Sequence, residues 1–174
     1  LRNSSAASDV YKRQLLAGSC TQSIEHKKAI IVDDLAFLKT ETDKPVKMTL
    51  PGPMTVVDST NNNFYATEQD MAFAWATAIN KEAKLLDDFG VDIIQFDEPA
   101  FSRYPEKVEK WGIEALDRCI SELKCSTAVH VCYGYPQPGL LRPVNDSYET
   151  IIALLEQSKV DQLALEFEGA DLDP

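Results

Sequence analysis

Val91-Asp92-Ile93-Ile94-Gln95-Phe96-Asp97-Glu98-Pro99, residues 91–99, is a short, almost continuously apolar run that stops at two acids and a proline. A run of this length and composition reads as a strand covered on both faces, the pattern of a parallel sheet packed between helices. Helical periodicity borders it on either side. Upstream, Thr67 and Asp70 have capping-box spacing, and Met71, Ala74, Trp75, Ala78, Ile79, Leu85, Leu86 and Phe89 recur mostly at three- and four-residue intervals before Gly90, which suits a C-terminal cap. Downstream, Val108, Trp111, Ala115, Leu116, Cys119 and Leu123 predict a second helix.

The alternation continues outward from this centre. Val46 to Leu50 reads as a strand ended by Pro51-Gly52-Pro53, whose prolines lack the N–H a ladder needs, and Asn61-Asn62-Asn63 reads as loop. Thr127 to Cys132 is a third strand, Asp146 opens a helix carrying Ile151, Ile152, Leu154 and Leu155, and Gln162 to Phe167 is a fourth strand. From Lys44 onward the order is βαβαβαβ, which implies a parallel sheet, either open and doubly wound or an arc of a barrel. No Gly-rich phosphate loop follows any strand, and polar residues collect at the strands' C-terminal ends. Both features favour an α/β fold of partial (β/α)8 TIM-barrel type with about four βα units. Half a barrel has two open edges, so further sequence is expected on both sides. Residues 15–174 are read as one partial catalytic barrel domain, and residues 1–14, which show no consistent period, as a non-native leader outside it.

Seventeen basic against 28 acidic residues give a net charge of −11, which would repel the phosphates of nucleic acid or of an anionic membrane and points to small-molecule partners. No apolar run approaches the roughly 20 residues of a membrane-spanning helix, and no signal-peptide pattern opens the chain, so a cytoplasmic setting with free thiols is expected for its four cysteines.

The sharpest chemical feature is His130-Val131-Cys132. Alternate strand residues point the same way, so imidazole and thiol share a side and could form half of a zinc site. A buried His and Cys with no metal would look the same. Glu166, at the end of the next strand between apolar neighbours, is a candidate third ligand; it could instead form a buried ion pair, and Glu168 could take either job. Asp97 and Glu98 sit where a strand meets its loop, where a carboxylate can accept hydrogen bonds from an ammonium group or simply cap the turn beside Pro99. Trp111-Gly112 reads as helix packing and His26 as an exposed loop residue.

Several separated segments together resemble one family, the zinc-dependent, cobalamin-independent methionine synthases of the UROD/MetE-like barrel superfamily. Asp43 to Lys47 followed by Gly52-Pro53-Met54-Thr55 looks like its strand and GPxT turn, and Ile94-Gln95-Phe96-Asp97-Glu98-Pro99-Ala100 like its I-Q-x-D-E-P-A signature. Trp111 to Ala115 resembles the following helix, His130-Val131-Cys132-Tyr133 the H-x-C-Y motif, and Leu165-Glu166 the strand completing the third position. The resemblance implies Zn2+ held by His130, Cys132 and Glu166, with a fourth cysteine ligand beyond Pro174. It also implies substrate binding at Asp97 and Glu98, Asp97 taking the amino group of homocysteine, and transfer of a methyl group to the homocysteine thiol to form methionine.

Two departures bear on the methyl donor. The long family members place a tryptophan soon after the GPxT turn, near their folate pocket, where this sequence reads Val56-Val57-Asp58-Ser59-Thr60; the stretch from Gly134 to Glu149 also lengthens the connection between His130 and Glu166. A methylated folate is the expected donor, with a corrinoid as the alternative. Coenzyme M as acceptor, a zinc-free porphyrinogen decarboxylase type barrel and a non-catalytic barrel are the other readings.

Overall fold

A computed structural model describes residues 17–134 and 147–167. In chain order the elements are β1 (Gly18–Cys20), α1 (Val32–Glu41), β2 (Lys47–Pro51), α2 (Pro53–Asp58), β3 (Thr60–Asn62), α3 (Glu68–Phe89) and β4 (Ile93–Asp97). They continue with a short α4 (Pro105–Lys107), a π-helical turn (Val108–Gly112), α5 (Ile113–Ile120), β5 (Ser126–Val131), α6 (Ser147–Leu155) and β6 (Gln162–Leu165). The main sheet has the order β2-β4-β5-β6 with every pair parallel, and β1 and β3 form a separate parallel pair. This is an arc of a (β/α)8 barrel, as the alternating pattern predicts.

Burial alternates along β4. Ile94 and Phe96 are fully buried, while Ile93, Gln95 and Asp97 are half-buried. Among the described residues the apolar run is therefore fully covered on its helix-facing side and only partly covered on the inner face of the arc. Leu50, Ile94, Phe96, Val129 and Val131 share one core with Met71, Ala76, Leu86, Leu116 and Ile151 of the helices. Burying each large side chain in such a core contributes about 1.5–3 kcal/mol.

The ends of α3 follow from its sequence. Thr67 accepts the Asp70 amide at 3.0 Å and its hydroxyl donates to the Asp70 carboxylate at 2.7 Å, closing the N-terminal turn. Gly90, at φ 92°, takes the left-handed conformation that stops the helix. The buried stripe is rotated from the predicted one. It runs through Met71, Ala72, Ala76, Ile79, Glu82, Ala83 and Leu86, leaving Leu85 and Phe89 exposed. A carboxylate on the buried stripe is what the apolar pattern alone misses.

Four elements, β1 among them, lie where no element was predicted. Helix α1 escapes the apolar pattern because only Leu35 is fully buried while Phe37 faces outward. Pro53–Asp58 forms helix α2 directly after the turn, and Asn61-Asn62, read as loop, belongs to β3 through its pairing with β1. The predicted start of the third helix at Asp146 and the alternative ligand Glu168 lie outside the described residues.

Candidate active site

Strand parity sorts the two adjacent acids at the end of β4. Asp97 faces the inner, concave side of the sheet with Gln95, whose amide nitrogen donates to Asp97 Oδ1 at 2.7 Å; the Gln95 oxygen accepts from Lys47 Nζ at 2.6 Å. This chain of contacts orients the carboxylate without consuming its second oxygen. In the register of the sheet, Asp97 lies level with Pro51 on one side and His130 on the other, and His130 with Ala164.

Glu98 points the opposite way and is fully buried. Its Oε1 accepts the Met54 amide at 3.0 Å, and its Oε2 accepts the Thr55 amide at 2.8 Å and the Thr55 hydroxyl at 2.7 Å. These are the first free N–H groups of α2, so the carboxylate caps that helix from across the sheet. Gly52 is required here: a Cβ on it would sit 2.2 Å from Glu98 Cδ. Burial, opposed by the Thr55 and Met54 hydrogen bonds and reinforced by the Asp97 charge, pushes the Glu98 carboxyl up to about 7. The Glu98 side chain has no accessible surface, and its oxygens hold the turn.

His130 and Cys132 share a face, both half-buried, with Val131 and Tyr133 buried between and after them. His130 Nδ1 lies 3.0 Å from the Ala164 carbonyl, an acceptor only, which places the ring proton on Nδ1 and leaves the lone pair on Nε2. The Cys132 sulfur accepts the Gly134 amide at 3.4 Å. Glu166 stands one step past the Val131–Leu165 pair on β6 and reaches across to β5, its Oε2 accepting the Tyr133 amide at 3.3 Å. Among the described residues no group of three or more His, Cys, Asp or Glu side chains is drawn close enough to hold a metal ion. The donor chemistry nevertheless fits zinc: an imidazole oriented through its other nitrogen by a carbonyl, a thiol beside an amide N–H, and a carboxylate on the neighbouring strand.

Two further residues tie these strand ends together. The Ser102 hydroxyl donates to the Cys132 carbonyl at 2.8 Å, joining the turn after β4 to the end of β5. The Tyr148 hydroxyl, on α6, donates to the Val131 carbonyl at 2.8 Å and accepts the Glu166 amide at 3.2 Å. Neither role carries a signal in the sequence, since a lone Ser in a turn or a lone Tyr on a helix fits local packing equally well.

His26 is not an exposed loop residue. Its Nε2 lies 2.6 Å from Glu82 Oε2, with the two side chains 10% and 2% exposed. Glu82 Oε1 also accepts the Ile30 and Ile31 amides, so one buried carboxylate clasps residues 26–31 onto α3. Trp111 is buried, as helix packing predicts, although on a π-helical turn. A cavity of about 720 Å³ opens between α3, α5 and α6, lined by Asn80, Asp117 and Arg118 among others, away from the strand ends.

A parallel arc with an acid, an imidazole, a thiol and a second acid along the carboxyl ends of its strands has the architecture of a (β/α)8-barrel catalytic face. The family model described as "Cobalamin-independent synthase, Catalytic domain" matches residues 5–172, and the chain belongs to this family. It is 32% identical over 157 residues to a protein named methionine synthase from Sulfolobus acidocaldarius, covering 90% of this chain and 42% of that protein. A protein of the same name from Saccharolobus solfataricus is 33% identical over 147 residues, covering 83% and 40%. The solved structure of a B12-independent methionine synthase from Shewanella sp. W3-18-1, in complex with selenomethionine, matches with a TM-score of 0.81 and 38% identity over 89% of this chain and 47% of that one. The chain thus spans less than half the length of the relatives it matches. Among the described residues no helix is long and apolar enough to cross a membrane.

Proposed function

We propose that the protein carrying this chain is a zinc-dependent S-methyltransferase that moves a methyl group to the thiol of homocysteine to form methionine. The observation that carries the reading is the common inner face of Asp97 and His130, level in the sheet, with Cys132 and Glu166 one step further toward the strand ends. The family and its methionine synthase relatives support it, as does the selenomethionine bound by the Shewanella protein.

His130, Cys132 and Glu166 would hold the zinc, with Nε2 as the imidazole donor. A zinc ion bound there supplies the acidity that turns a thiol of pKa about 8.5 into its thiolate at neutral pH. Asp97, held by Gln95, takes the substrate ammonium in a charge-assisted hydrogen bond and so fixes where the sulfur lies. The sulfur then forms a bond to the methyl carbon while the donor–methyl bond breaks with its electron pair left on the donor. Glu98 stays outside this chemistry and holds the Gly52-Pro53-Met54-Thr55 turn as one wall of the site.

A methylated folate is the donor this reading expects. One observation favours a corrinoid donor: α2 carries Val56, Val57 and Asp58 in place of an aromatic that could stack on a pterin, with Val57 buried and Asp58 engaged by Arg103. The testing measurement is zinc stoichiometry in the complete gene product and in Cys132→Ser. One zinc per chain, lost in the variant, supports the thiolate-activating site; no zinc in either overturns it.

A further inference from the structure

The ends of β5 and β6 carry all three proposed zinc ligands, and the link between those ends is unusual. The regular ladder runs through the Val131–Leu165 pair, and the next bond, from the Glu166 amide to the Val131 carbonyl, is stretched to 3.4 Å. The Tyr148 hydroxyl occupies the gap. It donates to that same Val131 carbonyl at 2.8 Å and accepts from that same Glu166 amide at 3.2 Å, so a side chain from α6 completes the ladder that the backbone leaves loose. Val131 lies between His130 and Cys132, and Glu166 is the carboxylate on the other strand. One hydroxyl therefore spans the backbone of both halves of the donor set.

The ring that carries this hydroxyl is fixed independently of it. Tyr133 stacks on Tyr148 with centroids 4.8 Å apart and planes 16° apart, and Phe167 meets it edge-on at 6.0 Å and 87°. Both partners are themselves neighbours of ligands: Tyr133 follows Cys132 and Phe167 follows Glu166. Packing alone would be met by phenylalanine. What the hydroxyl adds is a set distance between the two strand ends.

Resting on the zinc reading above, we propose that Tyr148 is a positioning residue: its hydroxyl sets the spacing between His130 and Cys132 at the end of β5 and Glu166 just past β6, and through that spacing the affinity and geometry of the zinc site. Ligand distances in such sites hold within about 0.2 Å, so the 2.8 Å bridge matters where the backbone bond beside it is stretched to 3.4 Å. Groups that orient metal ligands from outside the coordination sphere change affinity by about 10–100-fold when removed.

The test is Tyr148→Phe in the complete gene product, compared with wild type and with Ile151→Val, a substitution in the buried face of the same helix that loosens packing without touching the bridge. Zinc affinity is read by chelator competition, and site geometry by the thiolate-to-metal and ligand-field absorption of the cobalt-substituted protein. The expected result is zinc binding weakened by about 10–100-fold in Tyr148→Phe with an altered cobalt spectrum, and unchanged affinity in Ile151→Val at a comparable loss of thermal stability. Hydrogen exchange at the Glu166 amide in zinc-free protein should also accelerate in Tyr148→Phe, a readout that needs no metal. Equal zinc affinity and an unaltered cobalt spectrum in Tyr148→Phe and wild type would overturn the proposal and leave Tyr148 as packing. Wild type that binds no zinc would instead overturn the zinc reading, and the positioning role with it.

Discussion

Replacing Glu98 by glutamine should remove a pH dependence of stability that one buried carboxyl creates. The carboxyl has no exposed surface and is pushed from 4.5 to about 7, chiefly by burial. Because its folded value lies above its unfolded one, its favourable contribution is complete below the unfolded value, where both states are protonated. As pH rises, the unfolded chain ionises first, and stability is lost until pH passes the folded value of about 7. At about 1.4 kcal/mol per pH unit, the shift amounts to about 3 kcal/mol across this window. Glu98→Gln imitates the protonated carboxyl at every pH: one oxygen still accepts an α2 amide, and the –NH2 replaces the acid –OH beside Thr55. Urea unfolding at fixed ionic strength, from about pH 4 to about pH 8, reads the difference. The variant should gain about 3 kcal/mol relative to wild type between the low and high ends of that range, on top of a pH-independent offset of about 1–3 kcal/mol from imperfect hydrogen bonding. A difference between the two proteins that stays constant with pH would refute the reasoning, because it would mean that Glu98 titrates alike in both states.

Glu82 should behave with the opposite sign. Burial pushes its carboxyl up, but the Ile31 amide, His26 and the Ile30 amide together outweigh burial and hold it below 4.5, so the stability it confers is present above that value and is lost as pH falls through the lowered one. Glu82→Ala strands two backbone amides, about 1–3 kcal/mol each, and should speed tryptic cleavage after Lys27 and Lys28; unchanged cleavage would contradict the clasp. Gly52→Ala drives a methyl into Glu98 and should lower the urea midpoint by at least about 1 kcal/mol of stability, an effect largely absent in the Glu98→Ala background. If the proposed reading holds, Asp97→Asn in the complete gene product should raise the KM for homocysteine about 10–100-fold and leave its metal content at the wild-type level, checked by initial-rate kinetics and metal analysis.

The parallel arc was legible because its signal is redundant. Each strand is a short apolar run with its own stop, and α3 announces both ends through Thr67 and Gly90. The parts that were not legible are those whose energetics depend on a distant partner. Helix α1 buries only Leu35 deeply, and β3 exists through its pairing with β1. His26 could not be placed because its partner lies 56 residues away on a helix face that reads as apolar. That His130 and Cys132 share one side was readable from strand periodicity, whereas which of Asp97 and Glu98 faces inward was left open, and Tyr148, whose hydroxyl acts on the backbone of two strands, leaves no periodic trace.

The opposite fates of Asp97 and Glu98 follow from a single parity rule. In a strand, neighbours point to opposite faces, so an acidic pair at a strand end must send one carboxylate to the concave side and the other toward the helices. A lone carboxylate toward the helices would be prohibitive, and it is tolerated here because the preceding strand turns sharply at Gly52 and offers the free amides of α2 at that spot. The turn needs a glycine so that the carboxylate can approach, and the carboxylate is in turn the cap that α2 requires. The Asp-Glu pair and the Gly-Pro-x-Thr turn are thus one structural unit split between two strands, and that unit fixes the floor on which Asp97 stands. Changing Glu98 to a small residue should therefore move the turn and, if the proposed role of Asp97 holds, weaken substrate binding there through that movement.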